Sequence, residues 1–144
     1  MEIKDFGRYQ IIEWIGAGAY SDVYKAYEPA VKRTVALKVL KQFLASDPDV
    51  LNRFLQEAQV TAGLFHPHIA TALDMGEVQG NFFIAMRYVD GLPLNQILAQ
   101  RGVLPWPEAL KIFTQVSDAL QFAHARGLVH RDVKPQNILI SPTE

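Results

Sequence analysis

The sequence contains no cysteine. Disulfides, a thiolate zinc site and a thiol nucleophile are therefore excluded, and the redox compartment is left unconstrained. No apolar run approaches the roughly 18 residues that mark a membrane span. The opening Met1-Glu2-Ile3-Lys4-Asp5 has no apolar stretch of the kind a secretory leader needs. From these two absences the expectation is a cytoplasmic chain with no membrane segment. An excess of one charge is also lacking, since 14 Lys and Arg stand against 15 Asp and Glu. With both signs spread along the chain, there is no electrostatic footprint for nucleic acid. Internal repeats and low-complexity stretches are absent as well. What is present is globular composition, with 49% apolar and 20% charged residues in a chain of 144. That is one ordinary domain or part of a larger one.

The first half of the chain has the character of strands. Tyr9 to Ile15 mixes aromatic and β-branched residues and runs into Gly16 and Gly18. Asp22 to Tyr27 and Thr34 to Leu40 follow, with residues 28–33 as the loop of a hairpin. The period then changes. Over residues 47–64, Val50, Leu51, Phe54, Leu55, Ala58 and Ala62 recur at steps of three and four. Asp47-Pro48 has the form of an N-cap followed by proline in the first turn, so an amphipathic helix ending near Gly63 is expected. Strands over 70–77 and 81–88 are expected next, with Gln79-Gly80 as their turn. The second half is helical, with helices over Leu94–Gln100 and Pro107–Ala125. In the longer helix Ala109, Ile112, Phe113, Val116, Ala119, Leu120 and Ala123 make one apolar stripe, and Gly127 suits the C′ position. Strands with one helix, followed by helices, indicate α+β architecture with segregated lobes.

Three places could carry chemistry. In Gly16-Ala17-Gly18-Ala19-Tyr20-Ser21, a Gly-x-Gly turn allows backbone amides to approach phosphate oxygens. The bland alternative is a β-turn that merely needs glycine. A dinucleotide fingerprint would require a helix to follow, and a strand follows instead. Lys38 interrupts the dense apolar run Thr34 to Leu40. It is either a lysine snorkelling to water or the partner of an anion, since a buried ammonium needs pairing. Glu57, on the amphipathic helix, is a candidate partner. The most informative segment is His130-Arg131-Asp132-Val133-Lys134-Pro135-Gln136-Asn137. There Asp132 can accept or orient a hydroxyl proton, Lys134 can neutralise a phosphoryl group, and Asn137 can offer an oxygen to Mg²⁺.

That segment resembles the catalytic loop of eukaryotic-type (Hanks-type) protein kinases. It comes after a Gly-x-Gly flap, a Val-Ala-Leu-Lys strand and a helical glutamate, in the order of that family. The run from Phe122 to Asp132 is similar to bacterial members, and the resemblance covers essentially the whole chain. It implies a two-lobe fold. Residues 1–89 would be a small lobe of five antiparallel strands plus helix C, with the hinge. Residues 90–144 would be the first part of a helical large lobe, through the catalytic loop. It implies ATP and Mg²⁺ as cofactors and a protein serine or threonine hydroxyl as acceptor, with Lys134 pointing to the serine/threonine subclass.

The same resemblance distributes the roles. Gly16, Ala17 and Gly18 would lie over the phosphates, and Lys38 would hold the α- and β-phosphates with Glu57 as its partner. Ile15, Val23, Ala36 and Leu139 would sandwich the adenine, Met86 would be the gatekeeper, and Arg87 and Val89 would present hinge backbone. Asp132 would be the catalytic aspartate, Lys134 its phosphate-neutralising neighbour and Asn137 a magnesium ligand. Ser21 replaces the third flap glycine, and Arg87 stands where a hinge glutamate is usual. The family's Asp-Phe-Gly metal motif should follow Asn137. The literal Asp5-Phe6-Gly7 lies ahead of the flap, so it is a chance match, expected as a capping segment before the first strand.

The expectation is therefore a serine/threonine kinase truncated before its metal motif, inactive by itself and able to self-associate through an uncovered large-lobe face. The rival readings are a kinase-like fragment that binds nucleotide or a partner without turnover, and a small-molecule phosphotransferase of related fold. His66-Pro67-His68 is expected to be a turn and not a metal pair. His124, Trp14 and Trp106 are expected to be packing residues, and by the resemblance His130 would be the structural histidine of the catalytic loop.

Overall fold

The β-branched and aromatic first half forms a curled antiparallel sheet, and the periodic second half forms helices. The computed structural model describes residues 4–142. They fall into two units: the chain through Gly63 together with Ala70–Tyr88, and Leu64–Ile69 together with the chain from Val89 onward.

In the first unit the strands are β1 (Lys4–Phe6), β2 (Tyr9–Ala17), β3 (Ser21–Glu28), β4 (Arg33–Leu40), β5 (Ala72–Val78) and β6 (Asn81–Arg87). They form a six-stranded sheet in the order β1-β2-β3-β4-β6-β5. The expected sheet had five strands. The sixth is β1, which takes up Asp5 and Phe6 of the segment expected to be a cap. Its reason is burial: the Phe6 ring meets the edge of Phe83 at 5.7 Å, beside Tyr9 at 5.6 Å from the same ring.

Alternation along the strands separates two apolar layers. Tyr9, Ala26, Val35, Leu37, Phe83 and Ala85 fill one face. Leu40, Ala72 and Ile84 on the other face pack with Phe54 and Ala58 of α1 (Pro48–Thr61). That helix begins as its sequence indicates, with the Asp47 carboxylate accepting the Asp49 N–H at 3.0 Å and Pro48 in the first turn. It ends at Thr61, two residues before Gly63, near which its end was expected. The β5–β6 turn has positive φ at both Gln79 (49°) and Gly80 (83°), the twist that suits a tight hairpin.

A polar network that the sequence did not signal ties β2, β3 and β5. Glu28 is buried, at 4% exposure, and lies 3.1 Å from Arg8 Nε and 2.8 Å from Arg33 Nε. Two guanidinium groups supply the pairing that a buried carboxylate requires. Arg8 also pairs with Asp74, and the Tyr9 hydroxyl donates to Asp74 Oδ2 at 3.0 Å.

The second unit contains α2 (Leu94–Arg101), α3 (Trp106–His124) and a short pairing of β7 (Leu92–Pro93) with β8 (Leu139–Ile140). Two bonds finish α3, Leu128 N–H to Ala123 O and Gly127 N–H to His124 O, each 3.0 Å. With Gly127 at φ 81°, this is the Schellman closure expected of a C′ glycine. Arg101 grips Glu108 with two bonds of 2.5 and 2.8 Å. Hydrogen bonding to Arg101 holds the Glu108 carboxyl below its ordinary range, against a smaller opposing effect of burial. Segment 64–69 belongs to this unit, with the His66 ring 5.0 Å from that of Phe122 on α3.

Several packing expectations are corrected. On α3, Ala119 is buried and Ile112, Val116, Leu120 and Ala123 are half-buried, but Ala109 and Phe113 are exposed. Trp106, Leu110 and Phe113 form a second, outward apolar face, exposed by 75%, 53% and 68%. Trp106 is thus not a packing residue. Neither is His124, which is exposed in the last helical turn. Trp14 is 58% exposed, and its indole N–H points to Asp22 Oδ1 at 3.4 Å. No helix among the described residues is long and apolar enough to cross a membrane.

Candidate active site

Register places the first group of expected site residues on one face of the sheet. Val23 lies opposite Lys38, and Ala36 opposite Met86. Directly paired residues project to the same side, as do residues two apart on a strand. Val23, Ala36, Lys38 and Met86 therefore share the face on which α1 packs. Phe54 and Ala58 anchor that helix and bring Glu57, between them in sequence, over the strand. Lys38 Nζ donates to Glu57 Oε1 at 2.8 Å. The lysine side chain is 25% exposed and the glutamate 50%. The two were expected together and are together, in a site that solvent and ligands can reach.

The flap is the β2–β3 turn, closed by Gly18 N–H to Ser21 O at 2.7 Å. A shift in register between Trp14 and Gly16 leaves Ile15 without a direct cross-strand partner, the geometry of a bulge that re-aims a side chain. Ile15 is 47% exposed. Neither Gly16 nor Gly18 has a positive φ. A Cβ built on Gly16 would meet nothing within 4 Å, and one on Gly18 would meet only Ser21, at 3.8 Å. So neither glycine is required by its backbone conformation or by packing inside the chain. The space beside Gly16 is open, and beside Gly18 it holds ordinary contact with Ser21. Ala17 closes β2 opposite Asp22. Burial, aided by Asp22, pushes the nearby Tyr24 phenol up.

At the end of β6, the Arg87 N–H donates to Thr71 O at 2.9 Å. Lys25 Nζ lies 5.0 Å from the centre of the Tyr88 ring, a cation–π contact that ties β3 to the chain leaving the sheet.

In the second unit, Asp132, Lys134 and Asn137 converge within one loop. Lys134 Nζ is 3.4 Å from Asp132 Oδ2. The Asn137 amide donates to Asp132 O at 2.8 Å and to Asp132 Oδ2 at 3.2 Å. A 3₁₀ turn, Pro135–Asn137, carries the asparagine back to the aspartate. The loop then enters β8, where Leu139, 45% exposed, pairs with Pro93. Val89 is half-buried at the start of this unit. His130, expected from the resemblance as the structural histidine of the loop, accepts the Asp132 N–H at Nδ1 at 3.0 Å. The i to i+2 spacing was visible, but its use depends on a backbone turn that periodicity does not reveal.

The residues present fit a hard cation in one respect. Asn137 spends its N–H groups on Asp132, which leaves its Oδ1 as an oxygen donor of the kind Mg²⁺ takes. Among the described residues no group of three His, Cys, Asp or Glu is arranged to hold a metal. At His66-Pro67-His68, His66 Nδ1 accepts the His68 N–H at 3.1 Å, which makes it a turn.

Comparison with known proteins shows the family. Residues 9–144 match the protein kinase domain family. The chain is 46% identical over 142 residues to the serine/threonine-protein kinase PknA of Mycobacterium tuberculosis, covering 95% of this chain and 33% of that protein. It is 41% identical over 140 residues to PknE of Mycobacterium bovis, covering 97% of this chain and 25% of that protein. A crystal structure of the Mycobacterium tuberculosis PknI kinase domain superposes with a TM-score of 0.82 at 42% identity, covering 98% of this chain and 58% of that one. The chain thus spans a quarter to a third of the length of these curated relatives. With its curled sheet, Lys38–Glu57 pair and Asp132–Asn137 loop, the chain belongs to the protein kinase domain family.

Proposed function

We propose that these residues are the nucleotide-binding and phosphoryl-transfer part of a serine/threonine protein kinase. The observation that carries the reading is the convergence of Asp132, Lys134 and Asn137 in one loop. In the proposed reaction the acceptor hydroxyl oxygen attacks the γ-phosphorus of ATP and the bond to the β-phosphate oxygen breaks. The products are a phosphoester and ADP, and the hydroxyl proton passes to Asp132. Lys134 offsets charge on the transferring group. Lys38, held by Glu57, takes the α- and β-phosphates under Gly16, Ala17 and Gly18. Ile15, Val23, Ala36, Leu139 and Met86 are assigned to the adenine, with backbone of Arg87 and Val89. Since the Arg87 N–H is already given to Thr71, any purine contact by Arg87 falls to its carbonyl. Asn137 would hold Mg²⁺ through Oδ1, and the ion would neutralise phosphate charge.

A second reading, nucleotide binding without useful turnover, applies to a polypeptide of residues 1–144 alone. The family template assigns a further metal ligand to an aspartate after Asn137, and residues 138–144 contain none. Loss of one electrostatic donor lowers a rate by roughly 10²–10³, and a missing metal ligand should lower it at least as much. The 144-residue chain is expected to bind MgATP by calorimetry. In a radiolabelled-ATP assay it is expected to show no transfer above an Asp132→Asn control. Failure to bind MgATP would remove the kinase reading. Transfer abolished by Asp132→Asn would show that another carboxylate serves the metal.

A further inference from the structure

Two backbone bonds hold the flap turn. Gly18 N–H donates to Ser21 O at 2.7 Å, and the Tyr20 carbonyl accepts the Lys41 N–H at 2.8 Å. Neither reaches β2, the strand that feeds the flap. The β2–β3 ladder is interrupted at that point as well. Trp14 pairs with Tyr24 and Gly16 with Val23, with a register shift between the two pairs. Such a shift leaves backbone unpaired and the strand free to bend.

One side chain spans the interruption. The Trp14 indole N–H donates to Asp22 Oδ1 at 3.4 Å. Trp14 precedes the shift, and Asp22 follows the flap on β3. Trp14 lies opposite Tyr24, and Asp22 is two residues from Tyr24, so all three share a face of the sheet. It is the face of the Tyr9 and Leu37 layer, since Tyr24 pairs with Leu37. Gly16, opposite Val23, belongs to the other face, with Lys38. The indole bond therefore fastens the base of the flap from behind, on the side away from the nucleotide face. Trp14 is 58% exposed. A tryptophan that buries so little of its ring gains little from packing, and its polar N–H is what finds a defined partner.

We infer that Trp14 is a positioning residue for the flap, its indole N–H fastening β2 to β3 through Asp22 and so pre-setting the backbone of Gly16, Ala17 and Gly18 for phosphate. This rests on the reading of the flap as the cover over the nucleotide phosphates. A flap ordered beforehand loses less freedom when the ligand arrives, and affinity rises by that difference. The bond is long and in reach of water, so the expected effect is several-fold.

The test uses NMR hydrogen exchange and calorimetry on the 144-residue chain. Asp22→Ala should speed exchange of the Trp14 indole N–H by about three- to tenfold, as loss of one acceptor predicts. Asp22→Asn should leave it within about twofold of the parent, because the asparagine Oδ1 can accept the same bond. Trp14→Phe keeps an aromatic ring and removes the donor. It should speed exchange of the Gly18 amide by a similar factor, to which a tryptophan packed only for its bulk would be indifferent. Trp14→Phe combined with Asp22→Ala should be no worse at Gly18 than either change alone, since both remove one bond. In calorimetry Trp14→Phe and Asp22→Ala should each weaken MgATP about three- to tenfold and leave adenosine within about twofold. Unchanged Gly18 exchange in Trp14→Phe, additive effects in the double variant, or an asparagine variant as impaired as the alanine one would overturn the inference. So would equal losses for MgATP and adenosine. Should Asp22→Ala not fold, Trp14→Phe and Asp22→Asn decide by the same criteria. The exchange readouts need no nucleotide. A chain that showed them as expected and bound no MgATP would remove the phosphate reading of the flap and keep the Trp14–Asp22 fastening.

Discussion

Lys38 and Glu57, 19 residues apart in sequence, meet at 2.8 Å because α1 lies across the face of β4 that carries the lysine. Exposure of 25% and 50% on the two side chains makes this a solvent-screened pair, worth about 0.2–1 kcal/mol to the fold. Its small structural value is what leaves the ammonium available to a phosphate. Lys38→Met is therefore expected to leave the melting temperature nearly unchanged. By calorimetry it should weaken ATP on the order of 10- to 100-fold, the worth of a charged hydrogen bond, and adenosine hardly at all. Equal losses for both ligands would show that Lys38 does not hold phosphate.

Gly16 and Gly18 provide the complementary test. A Cβ at either position meets open space or ordinary contact, so Gly16→Ala and Gly18→Ala should shift stability by less than about 1 kcal/mol in thermal melts. Both should weaken ATP relative to adenosine, since the added methyl groups stand where backbone approaches phosphate. A large loss of stability with unchanged ATP affinity would return the flap to the status of an ordinary turn.

Gly91 is the reverse case. A Cβ there would lie 2.1 Å from the carbonyl oxygen of Ile140, and backbone cannot yield as a flexible side chain can. Gly91→Ala should push β8 off β7 and destabilise the second unit by about 1–3 kcal/mol, as overpacking does. Because β8 follows directly from the loop holding Asp132 and Asn137, faster amide exchange at Leu139 and Ile140 is the local readout. Unchanged exchange at both would contradict the close approach.

The outward face of α3 yields a prediction about association. Trp106, Leu110 and Phe113 recur at steps of four and three and are more than half exposed, and an exposed apolar face of that kind favours association. A polypeptide of residues 1–144 is expected to self-associate in sedimentation at micromolar concentration. Leu110→Glu with Phe113→Glu should return it toward the monomer. A clean monomer before substitution would show that the face is tolerated in water.

The sequence by itself determined the family and most of the elements. The Asp132–Asn137 loop, the Lys38 strand and the flap are short strings whose residue types carry their meaning locally. The caps at Asp47 and Gly127 and the Gln79-Gly80 turn depend only on neighbouring backbone. Tertiary structure decided what depends on residues far apart. Lys4–Phe6 is a strand only because Phe83 waits to cover Phe6. Glu28 can be buried only because Arg8 and Arg33 converge on it. That glycine at 16 and 18 is required neither by a positive φ nor by packing was decided only by the space around each. Apolar periodicity on α3 identified a helix but not which of its faces is covered, because a helix can carry two apolar faces and pack only one of them.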